Sequence, residues 1–162
     1  MNVEIKAVDD SYTNQITQLI SNIQQNEFNI AISIEDQPDL LAIEDFYIAK
    51  GGHFFGAFLD DELVGTIALV KFDEHSGAIR KMFVKKEFRG KELNIAQKLL
   101  DVLIDHCHKT KIENLFLGTV SVLKAAQRFY ERNGFEIIEK SRLPDKFPLM
   151  SADNVFYSIN LK

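Results

Sequence analysis

Two nearly continuous apolar runs, His53 to Leu59 (HFFGAFL) and Leu63 to Val70 (LVGTIALV), are separated only by Asp60-Asp61-Glu62. A charged tip between two such runs reads as a β-hairpin. Strands that are apolar at nearly every position have no face to offer water, so both faces of this hairpin must be covered. Helices have to supply that cover, which restricts the chain to layered mixed architectures. The chain has the material for it: 162 residues, 46% of them hydrophobic. A chain of this size buries roughly two thirds or more of its unfolded surface in one core without disulfides or structural metal. The expectation is a single domain over residues 1–162.

Periodicity places the covering elements. Val3, Ile5 and Ala7 alternate with polar residues as in a half-buried strand. Asp10 or Ser11 then caps a helix with Ile16, Leu19, Ile20 and Ile23 on one stripe. Residues Asn26 to Ile34 read as an extended arm or loop. Asp36 to Pro38 opens a second helix carrying Leu40, Leu41, Ile43 and Phe46, ended by Gly51-Gly52. After the hairpin and a Ser76-Gly77 turn, Ala78 to Val84 is a strand. The polar stretch Lys85 to Asn94 leads into a long helix with Ile95, Leu99 and Leu103 on its stripe and Ala96, Leu100, Ile104 and Cys107 beside it. Asn114 to Thr119 (NLFLGT) is a strand, and Ser121 caps a helix packed through Val122, Ala125, Ala126 and Phe129. Asn133-Gly134 closes that helix. Strands near Phe135 to Lys140 and Val155 to Leu161 follow, giving the order β-α-α-β-β-β-α-β-α-β-β.

Composition excludes several function classes. The single cysteine, Cys107, has no internal disulfide partner and cannot build a Cys-rich zinc site, so no metal is expected and a reducing, cytoplasmic setting fits. The first eight residues lack a signal-peptide core, and no run approaches the roughly 18 to 20 apolar residues of a membrane span. With 19 Lys+Arg against 24 Asp+Glu, a net charge of −5 argues against nucleic acid as a partner. Homodimerisation through the last strands or the apolar arm is compatible with the pattern.

Two places can carry chemistry. A polar loop feeding a helix N-terminus offers unpaired N–H groups and partial positive charge to a phosphate, and Arg89, Gly90 and Lys91 add cations and backbone freedom there. A solvated basic turn explains the same residues. In KAAQRFYERNGF, Tyr130 falls at the edge of the packing stripe, where its phenol reaches a cleft or serves as a structural hydrogen-bonder.

Together these segments resemble the GCN5-related N-acetyltransferase (GNAT) family. The strand IRKMFV, then FRG and NIAQKLL, is similar to the family's strand, pyrophosphate loop and helix. AAQRFYERNGF is similar to its A-x-x-x-Y-x-x-x-G-F segment. The loop pattern [Q/R]-x-x-G-x-[G/A] falls on Lys91, Glu92, Leu93, Asn94, Ile95 and Ala96, with lysine and asparagine replacing the usual Gln/Arg and first glycine. Asparagine tolerates the left-handed backbone such a turn needs. Leu123 stands where many relatives have a cofactor-contacting asparagine.

The resemblance implies an α/β (mixed α+β) fold: a mixed, mostly antiparallel sheet of six to seven strands flanked by helices. It implies that the strands Ala78 to Val84 and Asn114 to Thr119 splay apart to admit acetyl-CoA. Met82, Phe83 and Val84 would meet the pantetheine arm, and Arg89, Gly90 and Lys91 through Ala96 the pyrophosphate. An amine acceptor would be acetylated directly, with Tyr130 as catalytic acid toward the sulfur and a backbone N–H near Phe83 or Val84 facing the developing oxyanion. The usual glutamate base is absent from the strand, which shows Arg80 and Lys81. Glu35, Asp36, Glu74, His75 and a water chain are the substitutes. The arm from Asn26 and the loop Ser141 to Asp153 would line the acceptor side. A non-catalytic acyl-CoA-binding or regulatory module is the rival reading, and a nucleic-acid-binding regulator the third.

Overall fold

The computed structural model describes residues 2–162. Seven strands form one sheet in the order β1-β2-β3-β4-β5-β7-β6. They are β1 (Val3–Ala7), β2 (His53–Leu59), β3 (Glu62–Asp73), β4 (Ser76–Val84), β5 (Asn114–Thr119), β6 (Glu136–Ile137) and β7 (Val155–Asn160). Only β4 and β5 are parallel neighbours; the other pairs run antiparallel. The helices are α1 (Thr13–Ser21), α2 (Ile95–Lys109) and α3 (Lys124–Arg132). This is the mixed, mostly antiparallel sheet with flanking helices that the resemblance implies, and it has seven strands.

The β2–β3 hairpin turns through Asp60 and Asp61, both left-handed at φ +49° and +67°, as a two-residue turn matched to strand twist requires. Its two faces are covered as the apolar runs demand. Phe55, Ala57, Leu59, Val64, Ile67 and Leu69 pack with Ile95, Leu99, Leu100, Leu103 and Cys107 of α2. Phe54, Phe58, Leu63 and Ala68 point the other way, into a core with Ile16, Leu19 and Ile20 of α1 and with Leu40, Ile43 and Tyr47. The strand alternation thus divides one hairpin between two cores.

Several local expectations need correction. Neither Asp10 nor Ser11 caps α1: Asp9 caps a tight turn at Asp10–Tyr12 that leads into it, its carboxylate accepting from the Ser11 N–H at 2.9 Å, and Asp10 reaches across to the Ile43 N–H at 2.6 Å. That second contact breaks the helix expected after Pro38. The Ile43 N–H, which a continuous helix would give to Asp39, is diverted, and the segment splits into a tight turn at Pro38–Leu41 and a wide turn at Glu44–Ile48. α1 continues as a wide helical turn over Asn22–Glu27, so the arm begins only after it. Ser76 and Gly77 belong to β4, and the reversal lies at Glu74-His75, tightened by the Asp73 carboxylate accepting from the His75 N–H. Ser121 does not cap α3. Its N–H donates to Asn154 Oδ1 at 2.8 Å, and α3 starts after Leu123 without a side-chain cap. The strand expected over Phe135 to Lys140 shrinks to Glu136–Ile137. Among the described residues no helix is long and apolar enough to cross a membrane, and no group of three or more His, Cys, Asp or Glu is placed to hold a metal ion.

Leu99 is fully buried between α2 and the hairpin. Leu99→Ala is expected to cost about 2–5 kcal/mol, read as a lower midpoint in chemical denaturation with an unchanged slope.

Candidate active site

Ser76 to Ile79 of β4 pair with Asn114 to Leu117 of β5, and beyond those four positions the strands part. The cause is a β-bulge. Arg80 pairs with Ala68 and Phe83 with Thr66, leaving Lys81 and Met82 opposite Ile67 alone. An extra residue on one strand bends and twists it away from its other neighbour. Lys81 sits in the left-handed region at φ +55°, a conformation unfavourable for lysine by about 1–2 kcal/mol. The fully buried Thr66 hydroxyl holds it there by donating to the Lys81 carbonyl at 2.6 Å.

Ladder alternation fixes what faces the gap. The Lys85 N–H donates to the Val64 carbonyl, so Phe83 directs its backbone polar groups to β3 while Val84 turns its own toward the gap. Arg89 Nε takes the Val84 carbonyl at 2.8 Å. The Val84 N–H is left as a donor.

The gap opens into two clefts, one of about 620 Å³ and one of about 140 Å³, which meet at Met82, Phe83, Leu123, Ala126 and Tyr130. Gly90 at φ +125° and Asn94 at φ +54° shape the loop at one end of the larger cleft. Asparagine thus performs the left-handed turn expected of it. The Asn94 N–H closes the turn on the Gly90 carbonyl at 3.1 Å, and α2 begins at Ile95 with no side-chain cap. The N–H groups of Ile95, Ala96 and Gln97 therefore find no partner among the described residues. Lys91, Lys124 and Arg132 also line this cleft. Arg89 lines it too, but its guanidinium is clamped in a two-pronged ion pair with Glu27. Glu92 and Leu93 lie outside the lining; Glu92 is exposed and Leu93 packs toward the α2 core. Val122 and Ala125, expected to pack, form an uncovered apolar wall of the cleft instead.

Tyr130 stands where the clefts join, 4% exposed, packed edge-on between Phe129 and Phe135. Its hydroxyl makes no hydrogen bond among the described residues. Burial pushes its pKa up from the ordinary 10, so it is protonated throughout the neutral range.

The smaller cleft holds groups that sequence reasoning did not assign. Lys81 is 8% exposed, with Nζ 2.5 Å from Gln37 Oε1 and 3.7 Å from Asp39 Oδ2. Burial lowers its pKa to about 8 against the pull of Asp39. Gln37 is fixed in turn by a reciprocal pair with Gln24, and Asp39 by the Tyr47 hydroxyl at 2.5 Å. Asp153 is half-buried, and burial raises its pKa to about 6 although Arg80 and Lys81 oppose the rise. It lies two residues before β7, and only the β5–β7 pairing carries it over the gap. No local pattern in the sequence marks it. Ile30 and Ile32 from the arm and Phe147, Pro148 and Met150 from the loop complete the walls. None of Glu35, Asp36, Glu74 and His75 lines either cleft; Asp36 accepts from Ser33, and His75 bonds Lys111 at the far end of β4. His53 accepts from the Phe54 N–H and stacks on Phe55, and Cys107 is a core residue.

The model of the acetyltransferase (GNAT) family matches residues 17–135. A GNAT-family acetyltransferase from Staphylococcus aureus Mu50 is 42% identical, with a TM-score of 0.96 over 99% of this chain and 100% of that one. A PaiA N-acetyltransferase from Thermoplasma acidophilum, solved in complex with coenzyme A, shares the fold at 17% identity, with a TM-score of 0.76 over 99% of each chain. The Homo sapiens N-acetylaspartate synthetase is 32% identical over 128 residues, which is 75% of this chain. The chain spans 41% of that relative's length.

Two outcomes follow from this geometry. Thr66→Val leaves the Lys81 carbonyl unpaired in the bulge and is expected to cost about 1–3 kcal/mol by denaturant melts. Asp153 has a folded pKa above its ordinary 3.8, so its contribution to stability is fully present below that value and lost as pH rises through about 6. Asp153→Asn should therefore raise Tm at pH 7.5, with the difference fading toward pH 4.

Proposed function

Because the chain belongs to the acetyltransferase (GNAT) family, we propose that it transfers the acetyl group of acetyl-CoA directly to a primary amine. The observation that carries the reading is the bulge-driven gap between β4 and β5, with the unpaired amides of α2 at one end and Tyr130 at its inner end. Acetyl-CoA, the cosubstrate of this family, supplies a thioester-activated acetyl group and a polyanionic tail. The residues present suit both. The free N–H groups of Ile95, Ala96 and Gln97 at the positive end of α2 favour a pyrophosphate, with Lys91 beside them and Lys124 and Arg132 across the cleft. The Glu27 carboxylate already neutralises Arg89, so Arg89 serves to brace the loop on Val84 and on the wide turn that follows α1. Met82 and Val84 offer an exposed strand edge to an amide-bearing arm.

At the reacting end, the Val84 N–H is placed to donate to a carbonyl oxygen as negative charge builds on it. Tyr130, protonated and without another partner, gives its proton to the departing sulfur. The smaller cleft receives the amine, which must be neutral to attack; an ordinary alkylammonium with pKa ~10.4 is neutral in only about one molecule in 2,500 at pH 7. Its deprotonation must therefore be assisted, or its pKa lowered on binding.

Tyr130→Phe is expected to lower kcat about a hundredfold or more while leaving acetyl-CoA affinity within about threefold. Steady-state thiol release and calorimetry measure the two. Acetyl-CoA at a hundred times its Kd should stabilise the wild-type fold by about 2.7 kcal/mol, visible in a thermal melt. Binding without thiol release from any of a broad panel of amines would establish the non-catalytic module instead.

A further inference from the structure

Resting on the acetyl-transfer reading, we infer that the acceptor is a small amine that itself carries a carboxylate, with Arg80 holding the carboxylate and Asp153 accepting the ammonium proton. The two groups come from opposite walls of the smaller cleft. Arg80 leaves β4, half-buried, its guanidinium over the Phe46 ring at 5.7 Å, and among the described residues the only hydrogen bond of its side chain is from Nη2 to the Met150 sulfur at 2.9 Å. A thioether is a weak acceptor, so the guanidinium retains a fork of unspent donors that matches a carboxylate. Lys81 does not compete for that role, being engaged by Gln37 and Asp39. Asp153 lies on the β5 side, so close over Gly118 that a methyl group there would sit 2.5 Å from Oδ2. Its N–H donates to the Met150 carbonyl at 3.2 Å, and its carboxylate forms neither an ion pair nor a hydrogen bond among the described residues. Between these charges the walls are apolar, from Ile30, Ile32 and Phe147.

Size and sign narrow the ligand. A space of about 140 Å³ is on the order of the ~150 Å³ cavity that holds one benzene, which suits an acceptor the size of an amino acid. A polyamine would set a second ammonium against Arg80 and Lys81. An amine bearing a carboxylate instead places one charge on each wall.

The proton balance is complete. The ammonium passes one proton to Asp153, and the freed lone pair forms the C–N bond as the C–S bond breaks. Tyr130 protonates the leaving sulfur, and the second nitrogen proton leaves through solvent, which restores the phenol. One proton is released per turnover. Burial holds the Asp153 pKa near 6 against Arg80 and Lys81, the charged groups that face it from β4. Activity should therefore fall as pH drops through about 6.

The test measures thiol release from acetyl-CoA with glycine, β-alanine, aspartate and glutamate, against glycinamide, ethylamine and spermidine. At least one carboxylated amine should exceed its uncharged analogue about a hundredfold in kcat/KM. Arg80→Gln should raise KM for the carboxylated acceptor at least about tenfold and collapse that preference, with KM for acetyl-CoA unchanged. Asp153→Asn should lower kcat about a hundredfold and remove the acid limb near pH 6. A preference for spermidine or ethylamine, an acid-to-amide ratio indifferent to Arg80→Gln, or an acid limb that survives Asp153→Asn would overturn the inference while leaving acetyl transfer standing. If no amine is turned over, calorimetry on the coenzyme A-bound protein decides. Arg80-dependent binding of a carboxylated amine supports the inference and its absence overturns it. A protein that neither binds acetyl-CoA nor releases thiol overturns both readings.

Discussion

Everything distinctive about this molecule depends on β4 having a different relationship with each neighbour. It pairs with β3 over its whole length, with interruptions at Lys81-Met82 and, near the turn, at Phe72 of β3, and it pairs with β5 for four residues before leaving it. One surplus residue, pinned by one buried threonine hydroxyl, converts a continuous sheet into a sheet with a slot. The unpaired Val84 N–H, the cleft beneath α2 and the smaller cleft all lie along that slot. Backbone groups left unsatisfied in a protein interior are costly, and an opening of this kind persists because water or a ligand can satisfy them.

The architecture was legible because it follows from side-chain patterning. Strands as uniformly apolar as HFFGAFL and LVGTIALV require two covered faces, and the stripe from Ile95 to Cys107 supplies one cover. The turn at Asn94 was legible for a conformational reason, since asparagine is the residue that enters left-handed space after glycine. Other features rest on contacts between distant segments. The broken helix after Pro38 is the work of Asp10, thirty-three residues earlier, and nothing near Ile43 announces it. The clamp of Glu27 on Arg89 spans sixty-two positions and withdraws a cation that local reading would give to a phosphate. Asp153 stayed hidden for the same reason, being an ordinary loop aspartate until β5 and β7 pair.

The two cores and the slot between β4 and β5 obey opposite rules. Around the hairpin, apolar groups are buried and the helices have the stripes to bury them. Along the smaller cleft a lysine is buried with its pKa near 8, a carboxyl is half-buried with its pKa near 6, and a guanidinium rests on a thioether. Each arrangement lowers stability relative to a hydrated charge. The double-sided packing of the hairpin supplies the surplus that lets such groups persist, and the strained lysine backbone sits at the boundary between the two regimes.

The one thiol of the chain, Cys107, lies on the inner face of α2, fully buried, with its pKa pushed up to about 12. Under the proposed reaction each cycle liberates a coenzyme thiol in the cleft, whose lining does not include Cys107. Attack on a disulfide needs an accessible thiolate, and Cys107 presents neither the access nor the charge. The protein is thereby insulated from exchange with any disulfide into which the released coenzyme is oxidised, and thiol reagents used to follow turnover will report the coenzyme rather than the folded enzyme.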